Sequence, residues 1–127
     1  LTVNHLGPSS LYSQLHPLLV ASGELEHSPF IAAINGLVAE KTFPGMSAYT
    51  ASKVAAAAHL QTLALEWRRH KISVTDARPG HTETGLAGRA AFGTAPAFPT
   101  GMTGEHVAEV ILNGIAEKKS LIASTDF

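Results

Sequence analysis

Residues 47–80 read SAYTASKVAAAAHLQTLALEWRRHKISVTDARPG, and this stretch decides the fold. From Ser47 to His70 it holds neither glycine nor proline and is rich in alanine, so it predicts one long helix with Ser47 as the cap. Ile72-Ser73-Val74-Thr75-Asp76-Ala77 then predicts a strand that Arg78-Pro79-Gly80 ends. Upstream, Phe30-Ile31-Ala32-Ala33-Ile34 is a short apolar run stopped by Asn35-Gly36, which suits a parallel strand buried on both faces. Two strands joined through a helix make a crossover unit, the connection that parallel strands require.

Working outward, residues 4–20 place Leu6, Leu11, Leu15, Leu18 and Leu19 at helical spacings, with Pro8 tolerable in a first turn and Pro17 awkward near the end. A polar turn from Ser22 to Pro29 follows. Residues 81–102 carry glycine and proline without periodicity, too long for a plain connection, and predict a functional or mobile loop. A final helix starts near Thr103, with Val107, Val110, Ile111, Gly114 and Ile115 on one face, Glu105 in its first turn and Lys118-Lys119 at its end. Leu121-Ile122-Ala123 predicts a last strand. Helix, strand, helix, strand, helix, strand means an alternating α/β chain with right-handed crossovers onto a parallel sheet.

Composition excludes several classes. The 127 residues are 45% hydrophobic and 15% charged, with a mean hydropathy of +0.13, which is a folded chain rather than a disordered one. Nine Lys and Arg against ten Asp and Glu leave a formal charge of −1, so no field captures nucleic acid or an anionic membrane. Apolar stretches stop well short of the roughly 18 residues a spanning helix needs, which predicts a soluble chain. Zero cysteines remove disulfides and thiolate chemistry and fit a cytoplasmic location. Leu1-Thr2-Val3-Asn4-His5 has no initiator Met and no signal-peptide pattern, so the chain is expected to begin inside a longer protein.

Tyr49 and Lys53 stand four apart and therefore share one helix face about a turn apart. An ammonium beside a phenol stabilises phenolate and lowers the tyrosine pKa from about 10, which makes Tyr49 a candidate general acid or base. Taken alone, the spacing is also that of a surface tyrosine and a solvated lysine.

Context separates the two. Phe43-Pro44-Gly45-Met46-Ser47-Ala48-Tyr49-Thr50-Ala51-Ser52-Lys53, then Ala64-Leu65-Glu66, Ile72-Ser73-Val74 and Arg78-Pro79-Gly80-His81-Thr82-Glu83-Thr84, closely resemble the short-chain dehydrogenase/reductase (SDR) family in order and spacing. The resemblance covers nearly the whole chain but only the C-terminal half of such an enzyme. It implies a single partial Rossmann-like domain over 1–127, the C-terminal portion of a doubly wound parallel sheet with flanking helices, its first dinucleotide-binding βαβ units lying before Leu1. It also implies NAD or NADP as cofactor and a small alcohol or carbonyl as substrate.

The same resemblance assigns roles residue by residue. Tyr49 matches the acid/base that exchanges a proton with the substrate oxygen. Lys53 matches the residue that lowers its pKa and bonds the nicotinamide ribose. Asn4 matches an asparagine holding a water linked to the lysine; its plainer reading is a helix cap. Pro79 and Gly80 match the turn bordering the nicotinamide, Thr82 a backbone contact to the carboxamide, and Thr84 a hydroxyl near carboxamide and pyrophosphate. Without the family, Pro79-Gly80 is a turn at a strand's C-terminal end, the edge where open α/β sheets bind ligands. The Asn4 and Tyr49 helices are implied as a homo-oligomer interface, although helix propensity explains the run Ala55 to Ala58 equally well.

Two departures stand against this. The family's catalytic serine stands thirteen residues before the tyrosine, and that position is Gly36, which offers a substrate no hydroxyl. Asn35 beside it carries an amide, but on an ideal strand neighbouring side chains point to opposite faces. No Gly-rich dinucleotide fingerprint occurs, and Gly85-Leu86-Ala87-Gly88 is a look-alike in the wrong context. The seven histidines show no metal spacing, so no metal is expected; His81 alone stands beside the implied nicotinamide position and is a candidate substrate contact with Gly36. Phe92, Phe98 and Met102 suggest a hydrophobic lining, and Leu60, Leu63 and Trp67 a core. Arg68-Arg69-His70-Lys71 is a basic cluster that a helix C-terminus explains.

The functional expectation is the catalytic portion of an NAD(P)-dependent oxidoreductase, inactive as an isolated 127-residue chain. The alternative, motivated by Gly36, is a non-catalytic half-domain serving assembly. A third reading uses the same Tyr/Lys chemistry for epimerisation or dehydration; the Pro-Gly-x-x-x-Thr ending disfavours it.

Overall fold

A computed structural model of the chain describes residues 1–86, 88, 89, 93, 94 and 97–127. Strands β1 (Phe30–Ile34), β2 (Ser73–Ala77) and β3 (Leu121–Ile122) lie side by side in that order, all parallel. Helix α1 (Gly7–Glu24) leads into β1, α2 (Ser47–Trp67) joins β1 to β2, and α3 (Gly104–Ala116) joins β2 to β3. This is the expected α/β chain, a partial Rossmann-like sheet flanked by helices. In register, Phe30 faces Ser73 and Ile34 faces Ala77.

Strand alternation distributes the core over two faces. On one, Ile31 and Val74 meet Leu60, Leu63 and Trp67 of α2, with Tyr12, Leu19 and Val20 of α1 packed beside them. On the other, Ala77 and Ile122 meet Val107 and Ile111 of α3. Gly114 lets α3 approach: a Cβ there would lie 2.8 Å from Ile122 Cγ1. Each large aliphatic side chain taken from water contributes about 1.5–3 kcal/mol.

Several expectations are corrected. β1 is not buried on both faces: Ile31 is 9% exposed, but Phe30 and Ile34 are 52% and 59% exposed. The reason is positional, since within residues 1–127 β1 stands at the edge of the sheet and α3 packs over β2 and β3 instead. The leucines of residues 4–20 likewise do not share one buried face. Leu6, Leu11 and Leu18 are exposed, and Tyr12, Leu19 and Val20 face inward. α1 also continues past Pro17 to Glu24, so Ser22-Gly23-Glu24 is helix rather than turn. His16 packs tilted against Trp67, ring centroids 4.8 Å apart, and Leu19 and Val20 face inward, so α1 is packed on either side of that proline.

Helix ends differ as well. Met46, not Ser47, is the cap residue of α2, and no side chain caps it. α2 stops at Trp67, and Arg68–His70 form a 3₁₀ turn closed by Lys71 in the left-handed region, φ +59°. Thr103 caps α3, its hydroxyl accepting the His106 amide at 3.2 Å. α3 ends at Ala116, so Lys118-Lys119 stand beyond the helix.

Candidate functional site

The C-terminal ends of β1 and β2 meet the first turns of α2, and this junction gathers the residues singled out from sequence. Lys53 donates from Nζ to the Ile34 carbonyl at 3.1 Å, which anchors the side chain over the last residue of β1. The same Nζ lies 5.9 Å from the Tyr49 ring centroid, so the two share one helix face as their spacing requires. Tyr49 itself is 39% exposed. The expected fall in the tyrosine pKa is absent: burial pushes the Tyr49 phenol above its ordinary value. At this separation, with solvent adjoining the ring, the ammonium does not outweigh that burial. Burial pulls the Lys53 ammonium down, and the nearby Asp76 carboxylate opposes it.

Asn4 caps nothing; it lies inside a π-helical turn, Thr2–Leu6, preceding α1. Its side-chain amide donates to Ser52 Oγ at 3.0 Å, and Ser52 Oγ donates to the Tyr49 carbonyl at 2.7 Å. Asn4 therefore reaches the tyrosine's turn through Ser52, a residue that the sequence reading passed over. A pocket of about 140 Å³ opens between α1, β1 and α2, with Asn4, Tyr12, Ile34, Lys53 and His59 on its walls. A larger depression of about 590 Å³ lies away from this site, at the start of β2 around Lys71 and Ser73.

Gly36 leaves β1 at φ +83° and ψ 168°, a conformation essentially confined to glycine. Asn35 does not stand in for the missing hydroxyl. Its amide is buried and donates to Asp76 Oδ1 at 2.7 Å.

After β2, Pro79 is buried and its carbonyl accepts the Leu37 amide at 2.8 Å, which joins the Pro-Gly turn to the segment following Gly36. Thr82 donates to the Gly80 carbonyl at 3.2 Å and pairs as a bridge with Met102. Thr84 is exposed, its amide on the Thr82 carbonyl at 2.8 Å. His81 stacks on Phe98 at 4.9 Å, with Nε2 3.4 Å from Glu83 Oε1. Met102 packs against the α3 face of the core, and its Cε would lie 3.7 Å from a Cβ on Gly80. Phe92 and Ala87 lie outside the described residues, so the expected Phe92 lining and the Gly85 to Gly88 look-alike are not described here in full.

The donor set suits the nicotinamide end of a dinucleotide. Lys53 uses one of its three N–H donors on Ile34, which leaves two for vicinal hydroxyls. The Pro79-Gly80 turn presents backbone at the strand ends, the edge where such sheets bind ligands. Two residues that chemistry would have flagged were missed: Asp76 in β2 and Arg78 directly after it are 1% and 8% exposed. A charge in a buried strand requires a partner, and that was the available signal. Among the described residues no group of His, Asp or Glu could hold a metal ion, and no helix is long and apolar enough to cross a membrane.

A family model described as short chain dehydrogenase matches residues 1–92. The chain is similar to the Drosophila melanogaster dehydrogenase/reductase SDR family protein 7-like, 31% identical over 133 residues that cover 99% of this chain and 40% of that protein. It is also similar to dehydrogenase/reductase SDR family member 7B of Xenopus tropicalis, 29% identical over 123 residues, with coverage of 91% and 38%. The chain thus spans about two fifths of the length of these curated relatives. Among solved structures, a short-chain dehydrogenase from Sphingobium yanoikuyae in complex with NADPH superposes with a TM-score of 0.83 at 26% identity, covering 96% of this chain and 46% of that one. A 3-ketoacyl-(acyl-carrier-protein) reductase from Brucella melitensis complexed with NADH gives a TM-score of 0.80 over 96% of this chain and 51% of that one; at 22% identity it shows the shared fold alone.

Proposed function

The chain belongs to the short-chain dehydrogenase family, and from that premise we propose that it is the catalytic portion of an NAD(P)-dependent oxidoreductase interconverting a small alcohol and a carbonyl. The observation that carries the proposal is Lys53 tethered to Ile34 with its ammonium beside the Tyr49 ring, at the C-terminal edge of a parallel sheet. The proposed domain is the whole of residues 1–127, one partial Rossmann-like unit. NADPH and NADH in the similar structures support a nicotinamide cofactor, which when bound supplies or accepts a hydride. The absence of cysteine supports a reducing, cytoplasmic compartment.

Within this reading, Tyr49 transfers a proton to the substrate oxygen during reduction and takes it back during oxidation. Lys53 offers its free donors to the ribose hydroxyls and its positive charge to the phenolate that Tyr49 becomes. Asn4 positions the turn carrying Tyr49 through Ser52. Pro79, Gly80, Thr82 and Thr84 would border the nicotinamide, and His81 with Phe98 would border the substrate. No serine hydroxyl holds the substrate oxygen, because Gly36 occupies that position. A preorganised donor of this kind typically contributes on the order of 10² to 10³ in rate, so slow turnover follows.

Gly36 also favours a second reading, a catalytically silent relative whose α1 and α2 serve assembly. Tyr49→Phe in the intact enzyme, assayed beside the parent, discriminates between the two. The acid/base reading expects carbonyl reduction to be lost with nucleotide binding retained, since the ring stays and only the proton donor goes. Reduction at the parent rate in that variant removes Tyr49 as the proton donor, and absence of cofactor-dependent reduction in the parent itself gives the assembly reading the field.

A further inference from the structure

The face of the sheet turned toward Lys53 carries one buried carboxylate, and its partners are unusually complete. Asp76 is 1% exposed. Its Oδ1 accepts the Asn35 amide at 2.7 Å, and its Oδ2 accepts Arg78 Nε and Nη2 at 2.9 and 2.7 Å. Arg78 Nη1 lies 3.9 Å from Glu40 Oε1, and Glu40 in turn accepts the Ser124 amide and hydroxyl at 3.2 and 2.6 Å. The cluster thus ties the end of β1 to β2, to the 3₁₀ turn after Gly36 and to the C-terminal turn. It adjoins Lys53 through the strand register: Asp76 pairs with Ala33, Ala77 with Ile34, and Ile34 gives Lys53 its carbonyl.

We propose that Asp76 is a positioning residue for Lys53, a carboxylate clamped by Asn35 and Arg78 that holds the lysine as a cation over the end of β1. The inference rests on the reading of Tyr49 and Lys53 as the acid/base pair, and it adds to that pair a charge from the neighbouring strand. Its physical basis is the shared pocket wall: Asn35, whose amide is bonded to Asp76, lines the pocket that Lys53 also lines, and there burial disfavours the ammonium while Asp76 opposes that effect. Asp76 reaches Tyr12 on the same face too, where it adds to the effect of burial in raising that phenol. The other titratable groups facing Lys53 are His5 and Tyr12 from the N-terminal turn and α1, and Tyr49 and His59 from α2. Arg78 stands behind the carboxylate, with Glu40 behind Arg78.

The test is the titration midpoint of Lys53, read by NMR on ¹³C-dimethylated lysines in the full-length protein, with Lys53→Arg assigning the signal. Asp76→Asn is expected to lower the midpoint by about one pH unit, as loss of an opposite charge in a partly buried site does. Should Asp76→Asn fail to fold, Asp76→Ser decides, because it keeps an oxygen to accept the Asn35 amide while removing the charge. There too the midpoint falls. An unchanged midpoint in either folded variant overturns the proposal, whatever the turnover. Conversely, a lowered midpoint together with full turnover in Tyr49→Phe sinks the acid/base reading while leaving Asp76 as the group that keeps Lys53 charged.

Discussion

The Pro79 carbonyl lies 3.5 Å from where a Cβ on Gly36 would sit and accepts the Leu37 amide at 2.8 Å. The chain leaving β1 is therefore seated against the turn that leaves β2, in a conformation that only glycine adopts comfortably. Gly36→Ser, which on sequence grounds restores a missing hydroxyl, is expected to cost about 1–3 kcal/mol in urea unfolding through backbone strain and to leave kcat unimproved. A stable variant with a raised kcat contradicts this, and shows that the loop can rearrange around a side chain.

His59 gives the fold an acid-sensitive joint. Its Nδ1 lies 2.9 Å from Ser9 Oγ where α2 meets α1. Burial first, then His5, lower its pKa from the ordinary value, with Glu66 opposing. The folded state thus binds its proton later than the unfolded chain does on acidification. Stability is held above about pH 6.5 and declines as pH falls from there through the folded value. His59→Gln should flatten the fall in Tm between pH 7 and 5; an identical slope in the two proteins assigns the acid sensitivity to other groups.

The exposed leucines of α1 point to association. Leu11 and Leu18 are 52% and 69% exposed, and Val54 and Leu65 of α2 are exposed with them. Leu11 and Leu18 stand seven apart and so share one face of α1, and an exposed apolar face is a surface that partners cover. Sedimentation of the protein is expected to give a dimer or larger, and Leu18→Asp to dissociate it without loss of helix. A monomer in the parent protein, or an unaltered oligomer in the variant, removes α1 from the interface.

Residues 1–127 produced alone are expected to show neither turnover nor saturable binding of NADH or NADPH in calorimetry. The chain has no Gly-rich turn to cradle a pyrophosphate, and two free N–H donors on Lys53 do not replace one. Micromolar binding by the isolated chain would require pyrophosphate contacts that the 79–84 turn has not been assigned.

The alternation of elements, the strand at 30–34 and the Tyr49–Lys53 pair were all legible in the sequence, because each is written in local spacing. What was not legible depends on neighbours. Leu11 and Leu18 repeat at helical intervals, yet the side of α1 that meets Trp67 is the one bearing Tyr12 and His16. An apolar run cannot announce that it will stand at a sheet edge, so the exposure of Phe30 and Ile34 was hidden. Asn35 shows the same limit at the site. Its amide was read as aimed toward or away from the substrate, whereas its direction is set by Asp76, forty-one residues later. The role of Lys53 as an acidifier of Tyr49 was inferred from spacing, and spacing carries no account of burial.

The pairing of Thr82 with Met102 has an evolutionary corollary. Two backbone bonds, Met102 N to the His81 carbonyl and Glu83 N to the Met102 carbonyl, each 2.9 Å, stitch the mouth of the segment between them. Between ends fixed in this way, closure entropy grows only slowly with the length of a connection, by about 0.6 kcal/mol for each doubling. On the proposed reading, in which His81 and Phe98 border the substrate, the two stitched ends would let selection retune what the protein accepts while Tyr49 and Lys53 stay in place.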